Sequence, residues 1–143
     1  MAIMKKVLFI ALLCSLFVGC NEEQTQEKEL NIVGCWHLTE LHQIETRTVT
    51  IGEETIEIYI DFAADNTFRL YQMVGAGKYR SFSGSWVLEA DKLSGIYDDK
   101  TAWGTDYEVA LNSTGTELTL VSKGEQYVYV KEEIPADVLL GAK

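Results

Sequence analysis

Only one group of residues in this sequence has the types and spacing of a metal site: Cys35, His37 and His42. Alternate residues of a regular strand point to the same face, so Cys35 and His37 would lie together and His42 would point away. A β-bulge between the two histidines would reverse that orientation. Two ligands do not make a structural zinc site, so the pattern favours an ordinary strand with a polar outer face and predicts no metal.

Hydrolytic chemistry would require an activated nucleophile or two carboxylates that face each other. Neighbouring carboxylates on a strand face apart, and the adjacent acidic pairs of this chain stand at predicted turns or strand ends: Glu53-Glu54, Asp98-Asp99 and Glu132-Glu133. Glu57 and Asp61 would share a face but lie about 13 Å apart along a strand, too far to cooperate. No glycine-rich phosphate loop opens a helix. The sequence therefore predicts a protein that is not an enzyme and carries no cofactor.

Cys20 is the residue for which the sequence predicts a definite chemical role. It follows a short basic segment with Lys5 and Lys6, the apolar run 7–18 and the small residue Gly19, which is the layout of a secretory signal peptide. The apolar run would form a helix of about 18 Å, well short of the roughly 30 Å core of a bilayer. The run therefore predicts targeting and not a permanent membrane span.

Residues 16–20, with the sequence Leu-Phe-Val-Gly-Cys, resemble the lipobox of bacterial lipoprotein precursors. The resemblance implies that residues 1–19 are removed and that Cys20 carries a diacylglycerol and an added acyl chain, such as palmitate. Two or three acyl chains hold a soluble domain on a membrane, whereas one chain binds only marginally. The alternative is an ordinary secretory signal in which Cys20 is incidental.

The predicted mature chain is strongly acidic. Removal of residues 1–19 takes two lysines away and leaves 10 basic against 22 acidic residues, a formal net charge of −12. This charge argues against nucleic acid and against anionic lipid surfaces as partners. Because Cys14 leaves with the signal peptide and Cys20 is lipidated, Cys35 has no partner for a disulfide, and packing must stabilise the fold.

Residues 20–32 are predicted to form a flexible acidic tether, because residues 21–31 contain one apolar side chain and no aromatic one. Glu22 and Glu23 resemble the surface-export signal of lipoproteins in Bacteroidetes. We therefore expect a protein of the cell envelope, anchored in the outer membrane, with its domain in the periplasm or on the cell surface. The alternative is that the tether is simply polar.

Residues 33–132 show apolar side chains with period two, in short runs that turn signals separate about every dozen residues. In the clearest run, residues 55–62, the even-numbered side chains would share a buried face, while Tyr59 and its acidic neighbours face water. Asn66 in the following turn can adopt positive φ, and a short return strand follows it.

Eight strands can be counted in this region. Their runs are 33–41, 55–62, 68–70, 81–88, 93–97, 103–111, 118–122 and 126–131. Eight antiparallel strands with short connections predict an all-β, closed up-and-down barrel, and an open sandwich is the alternative. In the C-terminal tail, residues 133–143, Pro135 predicts the start of one helical turn.

Three short motifs follow one another along the predicted barrel. They are Gly34-Cys35-Trp36, the pattern Phe-x-x-Asp-Asn-Thr-Phe of residues 62–68, and Gly84-Ser85-Trp86-Val87-Leu88. Their order and spacing resemble the lipocalin-like domains of Bacteroidetes lipoproteins, which are similar to the lipocalin superfamily. The resemblance implies that Gly34 and Trp36 close one end of the barrel and that Trp36 packs against Lys131 through a cation–π contact.

The chain has 7 tyrosines and 3 tryptophans, which would either line a ligand site or fill the core of a small barrel. Gln72 and Arg80 are predicted to lie near an open mouth, and Trp86 is a third candidate for ligand binding. The first hypothesis is a module that binds a small hydrophobic or amphipathic molecule. The alternative is a solid barrel that acts as a structural or protein-interaction module through loops 75–79 and 98–103.

Overall fold

The computed structural model describes residues 29–43, 47–50 and 57–142. The predicted signal peptide, Cys20 and most of the predicted tether lie outside these residues. Within the described ranges, no helix is both long and apolar enough to cross a membrane.

Nine β-strands and one short helix follow one another along the described ranges. They are β1 Gly34–Gln43, β2 Arg47–Thr50, β3 Ile58–Phe62, β4 Thr67–Gly75, β5 Lys78–Glu89, β6 Lys92–Tyr97, β7 Tyr107–Leu111, β8 Glu117–Ser122, β9 Glu125–Lys131 and α1 Ala136–Gly141. Strands that are neighbours in the sheet are antiparallel, and the sheet closes on itself because β1 pairs with β9.

Eight of the strands form the closed barrel, and β2 is an addition to it. β3 pairs with the first part of β1, from Gly34 to His37, whereas β2 pairs with the last part, from Glu40 to Gln43. Both strands therefore lie along the same edge of β1, and β9 covers its other edge. The prediction of an eight-stranded antiparallel barrel is confirmed.

Two strands differ most in extent from their predicted runs. β4 is not short, because it continues to Gly75 and pairs with β5 along most of its length. The outer face of β4 carries the buried residue Tyr71. The sequence of β4 therefore lacks the alternation of apolar and polar residues that is typical of a strand with one solvent-exposed face. β7 begins at Tyr107 and not at Trp103. Residues 101–103 still lie along β6, where the N–H of Trp103 donates to the carbonyl oxygen of Gly95, and the chain turns at Gly104, with a φ of +81°, before β7 begins.

The barrel interior is one continuous apolar core. Its buried members are Ile32, Trp36, Leu38, Ile60, Phe62, Phe68, Trp86, Leu93, Val109, Leu118, Leu120 and Tyr129. Ile32 belongs to the segment before β1, and its carbonyl oxygen accepts a hydrogen bond of 2.8 Å from the indole N–H of Trp36. The segment assigned to the end of the tether thus covers one end of the barrel, which we call the closed end.

The C-terminal tail packs against the outside of the barrel. As predicted, a short helix follows Pro135, and its Val138 is 1% exposed. Val138 packs against Tyr59, Tyr71 and Tyr79, which come from the outer faces of β3, β4 and β5. The prediction that Tyr59 faces water was wrong, because the apolar side of the helix covers this part of the sheet and leaves Tyr59 only 4% exposed.

Candidate functional site

Gly34, Trp36 and Lys131 meet at the closed end of the barrel. Lys131 is the residue of β9 directly opposite Trp36, and its Nζ lies 5.6 Å from the centroid of the indole ring. Gly34 has a φ of +135°, and a Cβ at this position would lie 3.1 Å from Cε of Lys131. Glycine therefore provides both the backbone conformation and the space that the lysine side chain needs to reach Trp36.

The second and third sequence motifs are hydrogen-bonded to each other at the same end. Asn66 adopts a φ of 66°, and its carbonyl oxygen accepts the backbone N–H of Trp86 at 2.8 Å. The indole N–H of Trp86 donates to the carbonyl oxygen of Thr67 at 2.9 Å. Asp65 accepts hydrogen bonds from the hydroxyl and N–H of Thr67, which hold the pKa of this carboxyl below its usual value.

The structure does not bring Trp86 together with the other two candidate ligand residues. Trp86 is 7% exposed and packs edge-on against Phe62, with 5.6 Å between the ring centroids. Arg80 lies six residues away along β5, a distance of about 20 Å on an extended strand. The contacts of Trp86 are those of a residue that holds the closed end together.

Gln72 and Arg80 do lie together, at the opposite end of the barrel. They are directly opposite each other in β4 and β5, and Gln72 is also opposite Ile58 of β3. Their side chains lie on the same, inner face of the sheet as those of Leu70 and Phe82, which are opposite each other two residues closer to the closed end. Arg80 is exposed and Gln72 is half-buried. We call the end of the barrel at which these two residues lie the open end.

Two pairs of inward-facing aromatic side chains lie in the wall of the barrel beyond its closed end. We define them together as the aromatic rim, which consists of Phe82, Tyr97, Tyr107 and Tyr127. Edge-to-face contacts link Phe82 with Tyr97 and Tyr107 with Tyr127, at centroid distances of 6.1 and 6.0 Å. Burial raises the pKa of all three tyrosines, so their hydroxyls stay protonated and can donate hydrogen bonds.

Sequence reasoning did not select the members of the aromatic rim as site residues. Its tyrosines belong to three separate strands or strand ends, and each resembles an ordinary core residue. The available signal was that all three face inward close to one end of a strand: Tyr97 ends β6, Tyr107 begins β7 and Tyr127 is the third residue of β9. In β9, Tyr127 follows Glu125 by two residues, and its hydroxyl donates to this carboxylate at 2.5 Å.

The residues with metal-ligand character lie on the outer surface. The register of β1 and β9 shifts between Leu38 and Glu40, and this bulge turns His42 to the same face as His37. Each histidine already contacts one carboxylate, His37 with Glu132 at 2.8 Å and His42 with Glu40 at 2.7 Å. In the part of the chain that the structure describes, no three potential ligands lie close enough to hold a metal ion.

Trp103 lies inside the barrel wall and not on an exposed loop. Its ring meets Phe68 edge-on at a centroid distance of 5.0 Å and Tyr107 at 6.1 Å. A partner protein could therefore not use Trp103 as a contact without unpacking the core. The alternative of a protein contact through loop 98–103 loses its main residue.

We expect the protein to lose stability as the pH rises above about 10. Burial raises the pKa of Tyr127 and Tyr129 above the ordinary value of 10.0, so the folded state keeps protons that the unfolded chain releases. The stabilisation is complete below the unfolded pKa and is lost as the pH rises towards the folded one. Urea unfolding at pH 8, 10 and 11 should show a falling midpoint.

The matched variant for this prediction is Tyr127→Phe, which removes one titrating group and keeps the ring. Its midpoint should fall less steeply between pH 10 and 11 than that of the unchanged protein. A midpoint that does not depend on pH in this range would contradict the prediction.

A closed eight-stranded antiparallel barrel, with a Gly-x-Trp motif and a basic residue at one end and aromatic side chains at the other, defines a small barrel of the lipocalin type. A family model for a lipocalin-like domain matches residues 32–120. The chain belongs to this family.

Two solved structures are similar to this chain in fold. An uncharacterized protein from Bacteroides eggerthii is 19% identical, with a TM-score of 0.57 over 71% of this chain and 100% of that chain. A lipocalin-like protein from Bacteroides uniformis is 15% identical, with a TM-score of 0.58 over 70% of this chain and 97% of that chain. A search of curated proteins found no match.

Proposed function

We propose that this protein is an envelope lipoprotein, anchored by lipid on Cys20, whose barrel binds a small hydrophobic or amphipathic ligand at its open end. The aromatic rim is the observation that carries the proposal. Phe82 points inward by its register and is still 36% exposed, which leaves apolar ring surface at the mouth. Aromatic rings with a few polar groups between them are typical of small-molecule sites.

The polar residues at the open end would orient such a ligand. Arg80 is exposed at a position on the inner face of the sheet, and Gln72 lies directly opposite it. A guanidinium group binds carboxylate or phosphate oxygens in a bidentate manner, and the Gln72 amide can donate or accept. The ligand would therefore place its apolar part on the aromatic rim and its polar end near Arg80.

The packing below the rim sets the depth of the proposed site. Phe68 is 1% exposed and is in edge contact with Trp103, so the middle of the barrel is filled by side chains. The ligand would therefore rest at the mouth and not at the centre of the barrel. The proposal is one of binding, not of catalysis.

Arg80→Ala should weaken ligand binding about tenfold or more, because a hydrogen bond to a charged group contributes roughly 1.5–3 kcal/mol. Native mass spectrometry of the purified mature protein would detect a co-purified ligand, and its displacement would measure affinity. Arg69→Ala is the matched control, because Arg69 is exposed on the opposite face, across from Asp61 of β3. Equal affinities of Arg80→Ala and the unchanged protein would contradict the proposal.

The second candidate function is a solid barrel with a structural or protein-interaction role in the envelope. The packing of Phe68 against Trp103 favours a solid barrel, because the interior then needs no ligand to be filled, although Trp103 itself is not available as a contact residue. This candidate predicts that the mature protein purifies without a bound small molecule. It also predicts that Arg80→Ala leaves the association with envelope proteins unchanged in cross-linking experiments.

A further inference from the structure

The open end of the barrel carries a basic and an acidic side chain on opposite walls. β5 and β9 are four strands apart in either direction around the closed barrel, so they lie on opposite sides of it. Four antiparallel steps also give them the same direction, and both begin at the open end. Arg80 is the third residue of β5, and Glu125 is the first residue of β9.

The side chain of Glu125 lies inside the barrel wall. Alternate residues of a strand face the same side, so Glu125 shares the inner face of β9 with Tyr127 and the core residue Tyr129. Its carboxylate accepts a hydrogen bond of 2.5 Å from the Tyr127 hydroxyl. Burial raises the pKa of Tyr107 in β7, and the charges of Tyr97 and Glu125 raise it further. The carboxylate therefore acts on inward residues of two strands.

Glu125 has no counter-charge on the side chains that the structure describes. Neither Glu125 nor Arg80 belongs to an ion pair there, because the pairs that are formed involve two histidines of the outer surface. Hydroxyl groups surround Glu125 instead. Ser122 lies directly opposite it in β8 and is hydrogen-bonded to Thr105 at 2.5 Å. A half-buried charge without a partner is unfavourable, and a cationic group of a ligand would remove that cost.

The aromatic rim provides apolar surface between the two charges. Phe82 is the next inward residue of β5 after Arg80. Tyr127 is the next inward residue of β9 after Glu125. The other two members of the rim come from β6 and β7, which lie between these strands. Eight strands about 4.8 Å apart, with a tilt of about 40°, close into a barrel about 16 Å across between opposite backbones. Both charged side chains extend inward, so one small molecule can reach both.

We propose that the ligand of the open end is a small zwitterion with an apolar middle. Its anionic group binds Arg80, its cationic group binds Glu125, and its apolar middle lies on the aromatic rim. The guanidinium group binds a carboxylate in a bidentate manner, and tyrosine rings beside Glu125 attract a cation. The acidic excess of the chain also favours a ligand that is not purely anionic. This proposal rests on the proposed function, because it names the class of ligand for the same site.

The test compares three probes of one shape by isothermal titration calorimetry with the mature protein at pH 7. These are the zwitterion 4-(aminomethyl)benzoate, the anion 4-methylbenzoate and the cation 4-methylbenzylamine. The zwitterion should bind about tenfold more tightly than either singly charged probe, as expected for one additional charged hydrogen bond. Equal affinities of the zwitterion and the anion, or absence of binding by the zwitterion, would overturn the proposal.

Glu125→Gln tests the cationic end of the site. Glutamine keeps an oxygen that accepts the Tyr127 hydroxyl and removes the negative charge, so the fold should be retained. The variant should bind the zwitterion and the cation about tenfold more weakly and should not weaken binding of the anion. An unchanged affinity for the zwitterion would show that Glu125 does not bind its ammonium group.

Glu108→Gln is the matched control, because Glu108 is exposed, alternates with buried Val109 and therefore lies on the outer face of β7. It removes the same charge and should leave all three affinities within about twofold, since exposed charges at this distance are largely screened by salt. If Glu108→Gln weakens the zwitterion as much as Glu125→Gln does, the effect is one of net charge and the zwitterion proposal fails.

Arg80→Gln separates the zwitterion proposal from the proposed function. It should weaken the zwitterion and the anion and leave the cation within about twofold. If binding of the anion depends on Arg80 while the zwitterion gains nothing from Glu125, the open end is a ligand site and only the zwitterion proposal fails. If no probe binds, the zwitterion proposal fails as well, and the search for a co-purified ligand decides the proposed function by itself.

Discussion

Replacement of Cys20 by serine should move the protein from the membrane fraction to the soluble fraction of the cell. The predicted modification forms a thioether on the Cys20 sulfur, and a serine hydroxyl does not replace the thiol in that reaction. Two or three acyl chains anchor a domain stably, and their loss leaves none of this affinity. Cell fractionation and the intact mass of the purified protein measure both effects.

Cys35→Ser is the matched control for this experiment. Cys35 is half-buried on the outer face of β1, and burial raises the pKa of its thiol, which makes it a poor nucleophile. The control should stay in the membrane fraction and keep the added lipid mass. An unmodified wild-type mass, with a soluble protein that begins near Cys20, would instead support the ordinary secretory signal.

Trp36→Ala should destabilise the domain by about 3–5 kcal/mol, the largest effect that we expect from a single core substitution. The side chain is 0% exposed, donates to Ile32 and contacts Lys131, so its loss leaves a cavity and a carbonyl oxygen without its donor. Urea unfolding followed by circular dichroism would measure the change. A loss below about 1 kcal/mol would show that Trp36 does not hold the closed end.

Lys131→Ala and Lys131→Arg separate the two contributions at this end. Lys131 is exposed, so removal of its cation–π contact should cost only about 0.5–1 kcal/mol. Arginine also stacks on aromatic rings and should retain the stability of the unchanged protein. A cost for Lys131→Ala as large as that for Trp36→Ala would contradict this division.

Period two and turn chemistry were sufficient to predict the barrel itself. Inward and outward positions alternate without interruption in β3, and Asn66 adopts the positive φ that the turn requires. The placement of Lys131 against Trp36 could be expected from the resemblance, not from the residues alone. Long-range pairs of this kind leave no trace in local periodicity.

The features that the sequence did not predict depend on tertiary contacts. The bulge near Thr39 changes which residues of β1 face inward: even-numbered residues do so before it and odd-numbered ones after it. No local sequence pattern predicts this bulge. Tyr59 has the alternation of a solvent-facing position, yet it is buried because Val138 of the C-terminal helix, 79 residues later in the chain, packs on it. Trp103 has the apolar character of a strand residue, but it precedes β7, and its ring packs over Gly95 of β6.

The pairing of β1 with β9 also has a consequence for the order of folding. His37 and Glu132, 95 residues apart in the chain, meet across this closure. Contacts of such long range form slowly, so the two strands at the ends of the domain would pair late. A chain that stops after Ser122 would leave β1 and β8 with open edges, and open edges recruit other chains. We therefore expect C-terminal truncations to aggregate rather than to give a smaller, soluble domain.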